Sequence, residues 1–196
     1  MLKDGATHKR SFTIAVGLLS GCLVAGAAAP RTIDTQASVM TVHVYKSGLF
    51  SAFGHDHEIA APIAAGSFNE ENPSVQLRVD ARQLRVLDRE VSDKDRAKIQ
   101  ETMMGPEVLD SQKFPEIVFQ SVQVERLGDG KWAVAGNLTL HGQVRPVKIQ
   151  VEGQSGHYRG WTGLKQKDFG ITPVAVAGGT VKVKNEVRIE FDIRGN

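Results

Sequence analysis

Two histidines on either side of one aspartate form the sharpest polar cluster of this 196-residue chain, His55-Asp56-His57, which Glu58 follows. On a strand, residues i and i+2 point to the same face, so the two imidazoles would lie side by side. Neutral imidazoles suit zinc, copper, nickel or iron. Because Asp56 and Glu58 would point to the other face, a metal would need a further ligand. The candidates for it are His43, His141 and Glu101.

The histidine pair has two other interpretations. Both residues follow a Gly-bounded aromatic stretch, Gly48 to Gly54, and could donate hydrogen bonds to the polar head of a ligand at the entry to a strand. They could also only orient loops. We assign His55 and His57 to ligand binding and predict no cofactor. The alternative is that they bind a divalent transition metal in a redox-associated or metal-dependent hydrolytic protein.

No catalytic residue is predicted. Ser51 precedes His55 by four residues, but no G-x-S-x-G turn surrounds it, and closeness in sequence says little about a triad. The chain also contains neither a P-loop nor a dinucleotide-binding fingerprint.

Composition indicates an ordinary globular protein, with 41% hydrophobic and 23% charged residues. The formal net charge of +2 and the absence of long Lys/Arg runs argue against a nucleic-acid partner. A single cysteine, Cys22, excludes an intrachain disulfide and a Cys-rich zinc site.

The first 29 residues are typical of an export signal. Lys3, Lys9 and Arg10 precede an uncharged stretch over residues 12–29 that ends in small side chains. Two cleavage positions remain open. Leu19-Ser20-Gly21-Cys22 resembles a bacterial lipobox, which would leave a lipidated Cys22 and a membrane-anchored protein. Cleavage after Ala25-Gly26-Ala27 would discard Cys22 and release a periplasmic or otherwise exported soluble protein.

Residues 30–37 are predicted to be a polar linker, and residues 38–196 the folded domain. Apolar residues alternate with polar ones around Val42, Leu77, Val134, Ile149 and Ile189. A period of two indicates antiparallel strands with one buried face. Turns are predicted at Gly128-Asp129-Gly130, His141-Gly142, Gly153 to Gly156 and Gly178-Gly179, and a solvated strand edge at Lys167-Asp168.

One segment is expected to be helical. Ser92 is a suitable N-cap, Asp93 and Asp95 follow it, and Gly105-Pro106 ends the segment.

From the alternating strands and this helix together, we expect an all-β fold, a single antiparallel barrel with one short helix on a long connection. Closure would remove the sheet edges, and a two-sheet sandwich is the alternative.

Five segments, in order, resemble the YceI-like family of exported bacterial proteins with a lipocalin-like barrel. They are Val108 to Ser121 with its Leu-Asp and Phe-Pro pairs, Gly136-Asn137-Leu138-Thr139-Leu140-His141-Gly142, the Val144-x-Pro146-Val147 that follows it, Lys167 to Ile171, and the closing strand Val187 to Ile193. The resemblance covers about Thr35 to Ile193.

The resemblance implies an elongated apolar tunnel that holds a polyisoprenoid chain or the tail of an isoprenoid quinone. The aromatic residues are also what a barrel core needs, so the case for a cavity depends on the resemblance. Membrane association through a lipidated Cys22 and a homodimer both remain open. The predicted ligand-binding residues are Phe50, Phe53, His55, His57, Phe114, Phe119, Trp161 and Phe169.

Overall fold

The computed structural model describes residues 29–47, 56–176 and 181–196. Nearly all of the expected export signal, with Cys22, lies outside the described residues, and so do Phe50, Phe53, His55 and the Gly178-Gly179 turn. Within the described part, no helix has the length and apolar character needed to cross a bilayer.

Twelve strands and one α-helix, α1 (Asp93–Met104), make up the described fold, with short 3-10 helices at Ala81–Gln83 and Gln166–Phe169. The strands are β1 (Arg31–Thr32), β2 (Val39–Ser47), β3 (His57–Ala60), β4 (Ile63–Asn69), β5 (Ser74–Asp80), β6 (Arg85–Val86), β7 (Glu116–Gly128), β8 (Lys131–Leu140), β9 (Gln143–Gln154), β10 (His157–Lys165), β11 (Ala175–Val176) and β12 (Val181–Arg194).

All strands belong to one antiparallel sheet, in the order β1-β4-β5-β7-β8-β9-β10-β12-β2-β3-β6, with β11 beside β12. The sheet curls into a barrel because β3 and β4 are consecutive parts of one extended segment. β3 pairs with β2, whereas β4 pairs with β5 on the other side. The change of neighbour falls at Pro62, which has no N–H to contribute to a ladder.

The predicted alternation is confirmed on β2, β5, β8, β9 and β12. Their apolar residues point into the barrel, and the charged residues of β12 point outward. The His141-Gly142 turn is confirmed as a two-residue hairpin with φ of 50° and 70°. Both values are positive, as the favoured hairpin turns require.

The predicted helix is also confirmed. Ser92 Oγ accepts a hydrogen bond from Asp95 N at 3.1 Å, and the helix ends at Gly105. α1 lies outside the strand order and packs on β6, and Met103 is its one buried residue. Together with Leu84 and Leu109, Met103 covers one end of the barrel, which we name the helix end.

The prediction of a strand edge at Lys167-Asp168 is wrong. These residues belong to the 3-10 helix Gln166–Phe169, which is attached to an irregular stretch of β12. The Gln166 amide donates to the Lys184 carbonyl at 2.7 Å, and Lys167 N donates to Asn185 Oδ1 at 3.0 Å. A local sequence pattern does not show such a contact between distant segments.

The interpretation of residues 30–37 as a linker is also corrected. β1 pairs with β4, and Ile33 is only 2% exposed, packed with Phe68 and Ile193. Asp34 N donates to the Arg194 carbonyl at 2.8 Å. This segment covers the second end of the barrel, the N-terminal end. A lone isoleucine among polar residues has no periodicity, so the pattern gave no sign of its burial.

Replacing Ile33 by Ala should lower the free energy of unfolding by about 2–5 kcal/mol, the usual range for a buried isoleucine. Urea unfolding followed by circular dichroism measures the change. Gln36→Ala, at an exposed position of the same segment, is the control and should change stability by less than about 0.5 kcal/mol. Equal stability of the two variants would restore the linker interpretation.

Candidate ligand cavity

The barrel contains an apolar cavity of about 280 Å³ that runs from the helix end to the N-terminal end. Nine strands contribute inward side chains to it, and Leu84, Met103, Val108 and Leu109 contribute from the connection that carries α1. Small-molecule pockets span about 300–1,000 Å³, so this volume is near the lower limit of that range. The lining is almost continuously aliphatic, which suits a hydrocarbon chain.

The polar lining residues are unevenly distributed along the cavity. Among the six in the described part of the chain, Thr162 and Gln166 donate their hydrogen bonds to the backbone carbonyls of Lys148 and Lys184. The other four lie together at the N-terminal end, on the turn between β4 and β5 and at the start of β10. These four are Asn69, Glu70, Ser74 and Tyr158.

Glu70 and Tyr158 are held together by a short hydrogen bond. The Tyr158 hydroxyl donates to Glu70 Oε1 at 2.6 Å, and Gly156 N donates to the same oxygen at 2.9 Å. The Tyr158 ring packs edge-on against Phe68, with centroids 5.3 Å apart, and against Trp132 at 6.2 Å. The aromatic rings and the carboxylate therefore form one polar cap at the N-terminal end, made of Phe68, Glu70, Trp132 and Tyr158.

The environment of Tyr158 favours the neutral phenol. Burial and the hydrogen bond to Glu70 raise the pKa of Tyr158 above its ordinary value. Both act against the phenolate, because burial disfavours charge and the carboxylate repels a second anion. Tyr158 is therefore a hydrogen-bond donor to Glu70, and the Glu70 carboxyl oxygen is the acceptor at this end of the cavity.

Of the predicted aromatic ligand contacts within the described residues, the structure places only Phe119 in the cavity wall. Phe169 is buried in the adjoining core, and Phe114 packs against the His141 ring with centroids 4.6 Å apart. Trp161 is corrected: it lies on the outer surface, 46% exposed, beneath the Arg188 guanidinium. Its neighbour Thr162 takes the inward position, because adjacent strand residues face opposite sides.

His57 does not line the cavity. The register places it opposite Val44, on the inner face at the helix end, and its Nδ1 donates to Asp88 Oδ2 at 2.6 Å. Asp88 Oδ1 accepts from Glu58 N at 2.9 Å. The Asp88 side chain is 3% exposed, so the pair ties β3 to the chain that follows β6. This contact corresponds to the loop-orienting interpretation of His57.

The three proposed further metal ligands do not meet His57. His43 lies opposite Glu58 on the outer face and contacts Glu190 at 3.6 Å, while His141 Nδ1 donates to the Phe169 carbonyl at 3.1 Å. Glu101 is exposed on α1. Over residues 29–47, 56–176 and 181–196, no three His, Cys, Asp or Glu side chains lie close enough to hold a metal ion.

Two residues of the polar cap, Glu70 and Tyr158, were missed at the sequence level. Glu70 stands in an Asn-Glu-Glu-Asn-Pro run that is typical of an exposed turn. Tyr158 is the second residue of β10, whose inward positions also hold Gly160 and Thr162, so the strand shows no apolar alternation. The turn that holds Glu70 and the aromatic residue Tyr158 are each a weak sign of a binding site, and nothing in the sequence indicates that they meet.

An antiparallel sheet curled into a barrel around an apolar cavity defines the class of protein. The chain belongs to the YceI-like family, since the YceI-like domain matches residues 32–195. The match begins at β1, which agrees with the inclusion of the N-terminal segment in the fold.

Relatives and solved structures agree with this assignment. A UPF0312 protein of Vibrio cholerae is 30% identical over 90% of this chain and 95% of its own length. A UPF0312 protein of Shewanella oneidensis is 31% identical over 83% and 87%. The crystal structure of Burkholderia cenocepacia BcnA has a TM-score of 0.61 at 21% identity and covers 82% of this chain and 98% of that one. At that identity the structural likeness shows the fold.

Replacing His57 by Ala should destabilise the fold by about 1.5–3 kcal/mol, because the buried Asp88 carboxylate loses a charge-assisted hydrogen bond. Urea unfolding measures the change. His43→Ala, which removes a longer and more exposed contact on the outer face, should cost less than about 1 kcal/mol. An unchanged stability of His57→Ala together with loss of bound lipid would return His57 to the ligand site, and loss of a stoichiometric metal would favour the metal alternative.

In a Tyr45→Phe variant, Tyr158 is the only tyrosine, because the chain has two. Its phenol should ionise above the ordinary value of about 10 in the folded protein and near that value in urea. The phenolate ultraviolet absorbance reports both titrations. Since the folded pKa is raised, the stabilisation is complete below about pH 10 and is lost as the pH rises through the folded pKa. Equal titration in both states would contradict the Glu70–Tyr158 contact.

Proposed function

We propose that this protein binds a long amphiphilic lipid, a polyisoprenoid or an isoprenoid-quinone-like molecule, with its apolar tail inside the barrel. The observation that carries the proposal is the aliphatic cavity that extends between the two ends. A solid core would have been filled by larger inward side chains, since protein interiors are close-packed.

The energetics support a hydrocarbon occupant. Apolar burial stabilises by about 25 cal/mol per Å², so a tail that buries about 300 Å² would gain about 7.5 kcal/mol before the costs of immobilisation. The side chains of Thr162 and Gln166 donate hydrogen bonds to backbone carbonyls, so neither donor needs a polar group of the tail as its partner. Selectivity along the tail would depend on length and shape.

We also propose that the lipid is bound outside the cytoplasm, after export directed by the first 29 residues. The proposal is supported by the basic start and uncharged stretch of the sequence. The N-terminal residue of the protein recovered from cells distinguishes the two cleavage positions. A modified Cys22 would indicate a lipoprotein, and a start near Ala28 would indicate a released protein.

Filling the cavity should remove the lipid. The double variant Val147→Phe with Val187→Phe adds two rings to the lining, and we expect bound lipid to fall at least about tenfold, which equals about 1.4 kcal/mol in affinity. Organic extraction and mass spectrometry of protein purified without detergent measure the lipid.

The matched control for this experiment is Val144→Phe, on the outer side of the same strand β9. It should keep the lipid content of the original protein. Circular dichroism and the melting temperature establish that each variant is folded. Equal lipid content in the filled and control variants, or no extractable lipid in any of them, would contradict the proposed function.

A further inference from the structure

The cavity lining has an electrostatic asymmetry that bears on the head of the ligand. Over the described residues, Glu70 is the only lining residue with a charged side chain at neutral pH. The two internal stretches outside the description, 48–55 and 177–180, contain no Lys or Arg. No basic side chain is therefore available within the described lining to neutralise an anionic head.

The position of Glu70 is well defined. Its Oε1 atom accepts hydrogen bonds from the Tyr158 hydroxyl at 2.6 Å and from Gly156 N at 2.9 Å. These two donors come from the β9–β10 turn and β10, so they hold the carboxylate at the cavity end from a different part of the chain. A carboxylate that is held in this way accepts hydrogen bonds from groups that reach it.

Two arginines approach the polar cap without lining the cavity. Arg31 and Arg126 are near enough to act on Tyr158 electrostatically, but neither lies in the cavity wall. The Arg126 guanidinium stacks on the Trp132 ring, 4.6 Å from its centroid. An anionic head inside the cavity would face Glu70 first.

We propose that the Glu70 carboxylate at the N-terminal end makes the cavity select lipids with a neutral, hydroxyl-bearing head and discriminate against the same tail with a carboxylate or phosphate head. This inference deepens the proposed lipid binding and rests on it. A hydroxyl donates a hydrogen bond to the carboxylate, whereas an anion in a low-dielectric site is repelled by it.

Trp132 provides the readout. It lines the cavity within the polar cap, and Trp161 is the second of the two tryptophans of the chain, on the outer surface. In a Trp161→Phe background, Trp132 is the only tryptophan, and the change in its fluorescence reports binding at the proposed head site. Delipidated protein in this background is titrated with geranylgeraniol, with geranylgeranoic acid and with geranylgeranyl diphosphate, which share one tail.

We expect the alcohol to bind at least about tenfold more tightly than either anion. Glu70→Gln should reduce this preference to less than about threefold by strengthening the binding of the anions. Glu71→Gln is the matched control, because it removes the same charge from the adjacent, exposed position, which does not line the cavity. It should keep the original preference.

The outcomes separate the two levels of the proposal. Equal binding of alcohol and anions in the original protein, tighter binding of an anion, or a preference that persists in folded Glu70→Gln would overturn the inference and leave lipid binding intact. No binding of any probe would overturn lipid binding itself. If Glu70→Gln does not fold, Tyr158→Phe takes its place, since it keeps the carboxylate and should keep the preference for the alcohol.

Discussion

The extended segment from β3 to β4 is the constraint on which the rest of the structure depends. Its first half pairs with β2 and its second half with β5, so one stretch of chain joins the two sides of the sheet. Ala61 N still donates to the Met40 carbonyl at 2.9 Å, and Ile63 already pairs with Val79. Pro62 stands at the change of partner, where no ladder hydrogen bond is required. Without this junction the inward apolar face would have no opposite wall.

The curled wall leaves two ends, and each is covered by a different kind of segment. The long connection with α1 places Met103 and Leu109 over the helix end, and the N-terminal segment places Ile33 over the other. Among the described lining residues, Glu70 and Tyr158 lie together at the N-terminal end, so the cavity is chemically directional. An amphiphile that matches it would place its head at the N-terminal end.

The sequence predicted the parts of the fold whose signals are local. Alternation located β2, β5, β8, β9 and β12, since a strand with one buried face has a period of two. The cap at Ser92 and the turn at His141-Gly142 were also predicted, because capping and hairpin chemistry need only neighbouring residues. β10 was missed because its inward positions include Gly160 and Thr162, and the covering role of Ile33 was missed because one residue has no period.

The sequence by itself thus determined the fold class, the inward faces of five strands, the helix and the family. The tertiary structure decided which polar groups meet. Glu70 and Tyr158 are 88 residues apart, and His57 and Asp88 are 31 apart. Such contacts depend on strand register and on the stagger needed to close a barrel, which periodicity does not encode. For the same reason, only the tertiary structure shows that His57 contacts Asp88 and that Trp161 lies outside the barrel. It also shows a carboxylate at the end of an otherwise apolar cavity.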